Sequence, residues 1–528
     1  MELRNITLPA LLRETASRFA DRRAVEFHGD FYTWSEIDAL SEVLADDFAY
    51  RGITKGDHVG IWSPNSLTWV LSFFAAAKLG ATSVLINSNF TIRELRDAIR
   101  IAKVDWLLYG HCPRMDVVPD LIEHVQRDCP QLKGRMLDIR FEHADLLRLM
   151  FRNSKTVWDF HTSEGADTDD ICCMIFTSGS TRSPKCAMLT HHAIVNNSAS
   201  MAEVMGITQD DELCMSLPLF HMYGLAGCFL ACVQSGALVH FMEGLRSIDI
   251  MKCIHRHRCT VFNGVPTSYL ALISNKNISK YDLSSIRLGV LGGAPLTKHH
   301  LRRIQSAFPK TQFMANYGQT EGACLTNTLY GDSFEDIATT VGPPGPHIEM
   351  AIMDTETREL LPPDTQGEIV VRGYCIMRDY FNPDPEVLCP IDADGWLHTQ
   401  DLGLLRPDGY LRIVGRIKDI IIRAGEDITP SEVEEAVMAY DRISDARVLG
   451  APHDILGEQV VACVVLKESG RYKESELREI LGQRLAPFKQ PSHILVFSRF
   501  PASASGKINP RLLREEMTAK LDALSDKK

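Results

Sequence analysis

The sequence predicts an α/β fold in two unequal parts, and three observations carry that reading. From His58 to Tyr109, and again from Ile171 to Tyr317, short apolar runs alternate with helix-period segments. That alternation is the mark of βαβ units and a parallel sheet. From about Val341 to Val414 the texture changes to short strands with Pro/Gly turns, which suggests a small antiparallel or barrel-like piece. Beyond Gly415 a last stretch of about 110 residues reads as α+β. At 528 residues the chain is too long for one core and should divide.

The first element is an amphipathic helix pattern of Leu8, Leu11, Leu12 and Thr15, followed by a hairpin-like run from Val25 to Tyr32. Ser35 is placed to cap the next helix and Gly52 to end it. Strands and helices then alternate over His58–Trp62, Leu67–Leu79, Ala81–Ile86, Thr91–Ile101 and Trp106–Tyr109. The apolar stretch from Trp69 to Ile86 is broken by Lys78 and Gly80, so it reads as a buried helix and a strand rather than a membrane span. Further strands are expected near Leu213–Leu217, Ala237–Phe241, Val261–Asn263, Arg287–Leu291 and Gln312–Tyr317. The short-strand region supplies Ile348–Met353, Gly367–Val371, Trp396–Thr399 and Tyr410–Val414. The final region holds helices at Ser431–Ala439 and Glu474–Leu485 with strands at Ala446–Leu449 and Val460–Leu466. The segment around Arg416–Asp419 joins two compact regions, giving domains 1–417 and 418–528.

Composition narrows the function. A net charge of −12 argues against a broad nucleic-acid surface, which needs a basic stripe. The fourteen cysteines are scattered, several inside apolar runs, as suits small buried hydrophobes in a reducing compartment. Neither Cys228/Cys232 nor Cys253/Cys259 has zinc-site partners nearby in sequence, and His191-His192, His255/His257 and His299-His300 read as surface or helix-face histidines. With no secretory signal at the N-terminus, the expectation is a soluble, cytoplasmic protein.

The chemistry begins at Thr177-Ser178-Gly179-Ser180-Thr181-Arg-Ser-Pro-Lys185, which follows the strand-like run Ile171–Phe176. Hydroxyls and backbone N–H groups of such a loop donate to phosphate oxygens while the lysine supplies charge. A P-loop would need Gly-Lys-Ser/Thr, but Pro184 and Cys186 flank the lysine. Taken alone, the segment reads equally as a flexible serine-rich surface loop. Tyr317-Gly318-Gln-Thr320-Glu321 follows a strand; its ring suits an adenine face, Thr320 an α-phosphate, and Glu321 is a hard oxygen ligand for Mg²⁺. A turn with one capping carboxylate explains it nearly as well. Gly292-Gly293-Ala294-Pro295 permits close backbone approach, or simply makes a tight strand-to-helix turn.

With Leu217-Pro-Leu-Phe-His221, the run from Asp394 through Asp401 to Arg416, and Ser505-Gly-Lys507, these segments resemble the adenylate-forming superfamily in order and spacing. That superfamily includes acyl-CoA synthetases, adenylation domains of peptide synthetases and beetle luciferases. The resemblance spans about Leu8 to Arg514. It implies a large N-terminal adenylation domain of doubly wound sheets plus a small β-barrel-like subdomain, and a small mobile α+β C-terminal domain. It also implies ATP, Mg²⁺ and coenzyme A as cofactors and co-substrate, and a small carboxylic acid as substrate.

Residue by residue, the resemblance makes Lys185 and its loop the β/γ-phosphate contacts, with Asn316 and Tyr317 at the nucleotide and Asp401 and Arg416 at the ribose. Lys507 matches a lysine that reaches the carboxylate and α-phosphate during adenylation; alone it would be read as solvated. His221 matches an aromatic position that gates the acyl site; alone it would be read as a core histidine. Tyr223, Gly227, Val265, Gly292 and Ala315 are the acyl-pocket candidates, and the small apolar run Met222–Gly227 favours an uncharged aliphatic or aromatic tail, as in fatty acid metabolism. Lys418 matches the pivot of a domain rotation that removes Lys507 and brings in Gly425 beside the pantetheine arm. Five positions depart from the pattern: Arg182, Cys186, Gln400 and Ala424 stand where glycine is common, and Asp427 where asparagine is.

The reading that follows is an AMP-forming acyl-CoA ligase. A stand-alone protein loading a carrier-protein phosphopantetheine, a luciferase-like oxidase and a non-catalytic acyl-nucleotide binder remain the other readings.

Overall fold

The structure, a computed structural model, describes residues 1–112, 120–141, 166–177, 184–242, 246–381, 389–424, 426–453, 455–467, 472–502 and 508–525. The Leu8–Arg18 helix buries Leu8, Leu11, Leu12 and Thr15, the stripe its period requires. Strands Arg23–Phe27 and Asp30–Thr33 pair antiparallel around His28 and Gly29, whose φ angles of 55° and 94° match the twist of a two-residue hairpin. The next helix, Trp34–Arg51, starts earlier than Ser35 would allow: Thr33 is its N-cap, in a capping box closed with Glu36. Ser35 is inside the helix and donates back to the Ala20 carbonyl at 2.8 Å. Gly52 ends the helix at φ 104°.

One six-stranded sheet runs in spatial order Met136–Asp138, Trp106–Tyr109, His58–Trp62, Thr82–Ile86, Ile171–Thr177 and Lys185–Thr190. All neighbours are parallel except the last two, which form a hairpin. The Leu67–Lys78 helix is buried along its whole length, as its apolar run predicts. A second sheet orders Asp30–Thr33, Arg23–Phe27, Leu238–Phe241 and Glu212–Met215, and a three-stranded continuation holds Leu288–Gly292, Gln312–Gln319 and Ala323–Asn327. Val261 and Gly264 bridge the two pieces by isolated pairings with Leu213, Leu288 and Leu291. The expected strand at Val261–Asn263 is thus reduced to single rungs. The Asn263 side-chain oxygen accepts the Val290 N–H at 3.1 Å, doing the work of a backbone partner.

The short-strand region is a four-stranded antiparallel meander of Ile348–Met353, Gly367–Gly373, Leu397–Leu405 and Leu411–Arg416. The last sheet orders Glu426–Ile428, Ile421–Arg423, Gly457–Leu466 and Ile443–His453, with His493–Phe497 parallel to Gly457–Leu466. Its apolar residues from Ile421 to Leu485 form a core of their own, apart from the large cluster that begins at Leu8. All fourteen cysteines are unpaired. Among the described residues no helix is long and apolar enough to cross a membrane.

Candidate active site

Ligands of open parallel sheets bind outside the carboxyl ends of the strands, and Thr177, Gly292 and Tyr317 lie at or near such ends. Strand Gln312–Gln319 delivers Tyr317 and turns back into Ala323–Asn327. The Gly322 N–H closes that turn on the Gln319 carbonyl at 3.2 Å, which leaves Thr320 and Glu321 at its tip. Gly318 is required: a Cβ there would lie 2.1 Å from the Ala323 carbonyl oxygen. Tyr317 is buried, and its hydroxyl donates to Asp401 Oδ2 at 2.7 Å.

Asp401 sits opposite Arg416 in the register of the meander, and Arg416 Nε lies 2.8 Å from Asp401 Oδ1. Each carboxylate oxygen keeps a further lone pair for a ligand hydroxyl. Burial raises the Asp401 pKa above the usual carboxylate range, although Arg416, Tyr317 and Lys418 oppose it. Gln400, just before it, has φ 60°, the left-handed region that glycine adopts freely. Its N–H donates to Glu368 Oε1 at 3.1 Å, and buried Glu368 is held by His398 Nδ1 at 2.9 Å and Arg358 at 3.1 Å. Glu368 comes from the neighbouring strand with no motif to mark it, and His398, though inside the Asp394–Asp401 run, was given no role from sequence.

Thr177 and Lys185 face each other across the hairpin that carries the hydroxyl-rich loop. Ser178, Gly179, Ser180, Thr181 and Arg182 lie outside the described residues. Cys186 is buried in the core behind Lys185. The outer edge of strand Lys185–Thr190 is paired by the 378–381 segment, through Met188 N–H to Asp379 O at 2.9 Å and Phe381 N–H to Cys186 O at 2.7 Å. That pairing sets Tyr380 beside the lysine: Lys185 Nζ is 5.0 Å from the ring centroid. The Tyr380 hydroxyl donates to Glu321 Oε1 at 2.7 Å. Tyr380 therefore joins the expected phosphate cation to the expected metal ligand, and nothing in its sequence surroundings signalled it.

Of the acyl-side candidates, Tyr223, Gly227 and Gly292 come together. Gly292 pairs with Asn316 across parallel strands, and a Cβ on Gly292 would meet Asn316 Oδ1 at 3.1 Å and Tyr223 Cε1 at 3.3 Å. On the far side of Tyr223, a Cβ on Gly227 would meet Tyr223 Cδ2 at 2.8 Å and Cys324 Sγ at 3.1 Å. The Tyr223 hydroxyl donates to the Val290 carbonyl at 2.8 Å, which pins the ring between the two glycines. Asn316 donates to the Thr326 carbonyl and to Asn327 Oδ1, each at 2.9 Å. Val265 follows Gly264, whose carbonyl accepts the Gly292 N–H at 3.2 Å, and Ala315 is buried one residue before Asn316. Gly293 has φ 73° and leads through Ala294 and Pro295 to the helix Lys298–Ala307. His221 begins the short helix Met222–Gly224, its ring centroid 4.8 Å from that of Phe220. Asn65, also missed, clamps this segment: its side chain donates to Leu217 O and accepts from Leu219 N–H, both at 2.8 Å.

Lys418 stands two residues past Arg416. Partial burial lowers its pKa, Arg416 and Lys185 lower it further, and Asp419 and Asp401 act against them. Lys418 thus feels the charge of both Lys185 and Arg416, beside the carboxylate of Asp401. Ala424 has φ 54°, again where glycine is common. Gly425 and Lys507 lie outside the described residues.

The chain matches the family model described as AMP-binding enzyme over residues 12–381, and that described as AMP-binding enzyme C-terminal domain over residues 432–507. It is similar to the mitochondrial medium-chain acyl-CoA ligase ACSF2 of Danio rerio, with 30% identity over 547 residues covering 98% of this chain and 89% of that one. It is also similar to the acyl-CoA ligase SID4 of Ajellomyces capsulatus, with 32% identity over 547 residues covering 97% and 91%. Among solved structures it resembles O-succinylbenzoate coenzyme A synthetase (MenE) from Bacillus subtilis in complex with ATP and magnesium ion, with a TM-score of 0.78 and 26% identity over 96% of this chain and 99% of that one.

Proposed function

The chain belongs to the AMP-binding enzyme family, and from that premise we propose how its residues divide the work of an AMP-forming acid–thiol ligase. The enzyme activates a carboxylic acid with ATP through an acyl adenylate and passes the acyl group to coenzyme A, releasing AMP and pyrophosphate. In the first step a carboxylate oxygen attacks the α-phosphorus as the bond to pyrophosphate breaks. In the second the coenzyme A sulfur attacks the acyl carbon as its bond to the AMP oxygen breaks.

Both substrates of the first step are anions, so charge neutralisation and in-line positioning dominate its barrier. Lys185 holds the β/γ-phosphates with the hydroxyls of Thr177, Ser178, Ser180 and Thr181. Asp401 and Arg416 hold the ribose, Tyr317 and the Gly292–Pro295 turn flank the base, and Thr320 faces the α-phosphate. Glu321 fits a magnesium ion: Tyr380 occupies one carboxylate oxygen, and among the described residues no hydrogen bond reaches the other. Bound with ATP there, Mg²⁺ would neutralise phosphate charge. The observation that carries this assignment is the Lys185–Tyr380–Glu321 chain beside the Tyr317–Asp401–Arg416 chain.

Lys507 supplies the remaining charge for adenylation, and residues 418–528 pivot at Lys418 to bring Gly425 to the pantetheine arm. The acid carries an uncharged tail of medium length, received against His221, Tyr223, Gly227 and Val265; the apolar character of this wall and the medium-chain relative support that choice. Mass spectrometry of products from Mg-ATP, coenzyme A and a panel of aliphatic, aromatic and dicarboxylic acids tests the reading. Acyl-CoA from medium aliphatic or aromatic acids is the expected product; acyl-AMP without acyl-CoA, or turnover only of dicarboxylic acids, would overturn the acceptor or the pocket assignment respectively.

A further inference from the structure

We propose that Cys214, Cys253 and Cys259 form a thiolate site for a zinc-class cation, separate from the residues assigned to ATP, acid and coenzyme A. The three sulfurs come from three segments. Cys214 lies on strand Glu212–Met215, Cys253 on helix Ser247–His257, and Cys259 just beyond that helix. Arg258 ends the helix in the left-handed region at φ 57°, turning the chain so that Cys259 comes back to Cys253. Sequence spacing showed only an isolated Cys253/Cys259 pair; the parallel sheet delivers the third member.

The geometry suits one ion. The three sulfurs lie within 4.8 Å of one another, and Cys253 Sγ is 3.9 Å from Cys259 Sγ. A tetrahedral centre with zinc–sulfur bonds of about 2.3 Å sets sulfur pairs about 3.8 Å apart. Cys214 and Cys259 are fully buried, and thiolates are the ligands that favour soft and borderline d¹⁰ ions. Cys253 opens on a cavity of about 540 Å³ whose wall also carries His257, Lys252 and Arg256. That cavity offers an access route and an open fourth position. His257 stands one helical turn after Cys253 on the same face. Three thiolates and a dication carry one net negative charge, which Lys252 and Arg256 offset.

The neighbouring His240 belongs to the surroundings rather than the ligand set. Both its nitrogens are engaged, Nδ1 with Glu26 Oε2 at 3.3 Å and Nε2 with Glu212 Oε2 at 2.8 Å. A disulfide would use two of the sulfurs and leave the third without a role. An ion in the cluster ties helix Ser247–His257 to the strand that continues into Leu217–His221, so its effect is on stability.

The test uses the reduced full-length protein, stripped with chelator and refilled with zinc or cobalt(II). One metal per chain by elemental mass spectrometry, a cobalt–thiolate charge-transfer band and a zinc-dependent rise in Tm are expected. Cys214→Ser, Cys253→Ser and Cys259→Ser should each lose the band, while Cys463→Ser, on strand Gly457–Leu466 in a cluster with Leu495 and Leu513, keeps it. Because a core serine can disturb folding, wild-type protein is also alkylated with and without zinc; zinc should protect Cys253. Absence of metal uptake, an unchanged band in all three variants, no protection of Cys253, or a Cys253–Cys259 disulfide peptide in the purified protein would each overturn the proposal.

Discussion

Replacing Tyr380 with phenylalanine removes one oxygen and separates two roles that the structure joins. The ring stays, so Lys185 keeps its aromatic partner 5.0 Å away, but Glu321 loses the hydroxyl that donates to it at 2.7 Å. A hydrogen bond to a charged group contributes about 1.5–3 kcal/mol. Glu321 is only partly buried, so water substitutes in part and the lower end applies. About 1.5 kcal/mol corresponds to roughly tenfold. Pyrophosphate release, measured against Mg²⁺ at fixed ATP, should show kcat/KM about tenfold lower in Tyr380→Phe with Tm almost unchanged. Tyr380→Ala should lose more, through a cation–π contact of about 0.5–2 kcal/mol and the cavity left by a buried ring. A Tyr380→Phe enzyme within twofold of wild type, or as impaired as Tyr380→Ala, would refute the link between Tyr380 and Glu321.

Asp401→Asn should weaken nucleotide binding by about 10- to 100-fold, the worth of a charge-assisted contact, read by calorimetry with ATP. Burial raises the Asp401 pKa, so wild-type KM for ATP should climb as pH falls through that raised value, and the asparagine enzyme should be flat there. A carboxyl with a raised folded pKa contributes stability that is fully present below its unfolded value, about 3.9, and is lost as pH rises through the folded one; Asp401→Asn should therefore not lower Tm at neutral pH. Gly227→Ala drives a methyl against Tyr223, pinned on its other side by Gly292 and Val290; expected are a loss of about 1–3 kcal/mol in stability and a shift in kcat/KM toward shorter acids across a homologous series. Gln400→Gly relieves a left-handed side-chain residue and should raise stability by about 1 kcal/mol, measured by urea denaturation.

The parallel strands were legible because each is a short apolar run, and their bounds shifted by only a few residues, as at Leu288–Gly292 and Gln312–Gln319. The pairing of Asp401 with Arg416 was legible only through resemblance, since no local pattern ties the two; the register of an antiparallel pair does. Tyr380, Asn65 and Glu368 escaped because each acts across more than thirty residues of sequence, through pairing that periodicity does not encode. Ser35 was misplaced as a cap because Thr33, two residues earlier, also meets the rule and alone has a glutamate three residues on. The cysteine cluster failed for the same reason as Tyr380: Cys214 and Cys253 are neighbours only after the sheet and its covering helix have formed.

Arg416 is the last residue of its strand, and its rung is the one that faces Asp401. Strand ends open more readily than strand middles. A pull on the 417–420 segment is thus felt first at the Asp401–Arg416 pair. Peeling that single rung withdraws the guanidinium from a buried carboxylate, so in the proposed cycle a tug that repositions the C-terminal region would also loosen the grip on AMP. In the proposed cycle, release of product and motion of the chain beyond Lys418 would then be one mechanical event, with the strand terminus as its ratchet.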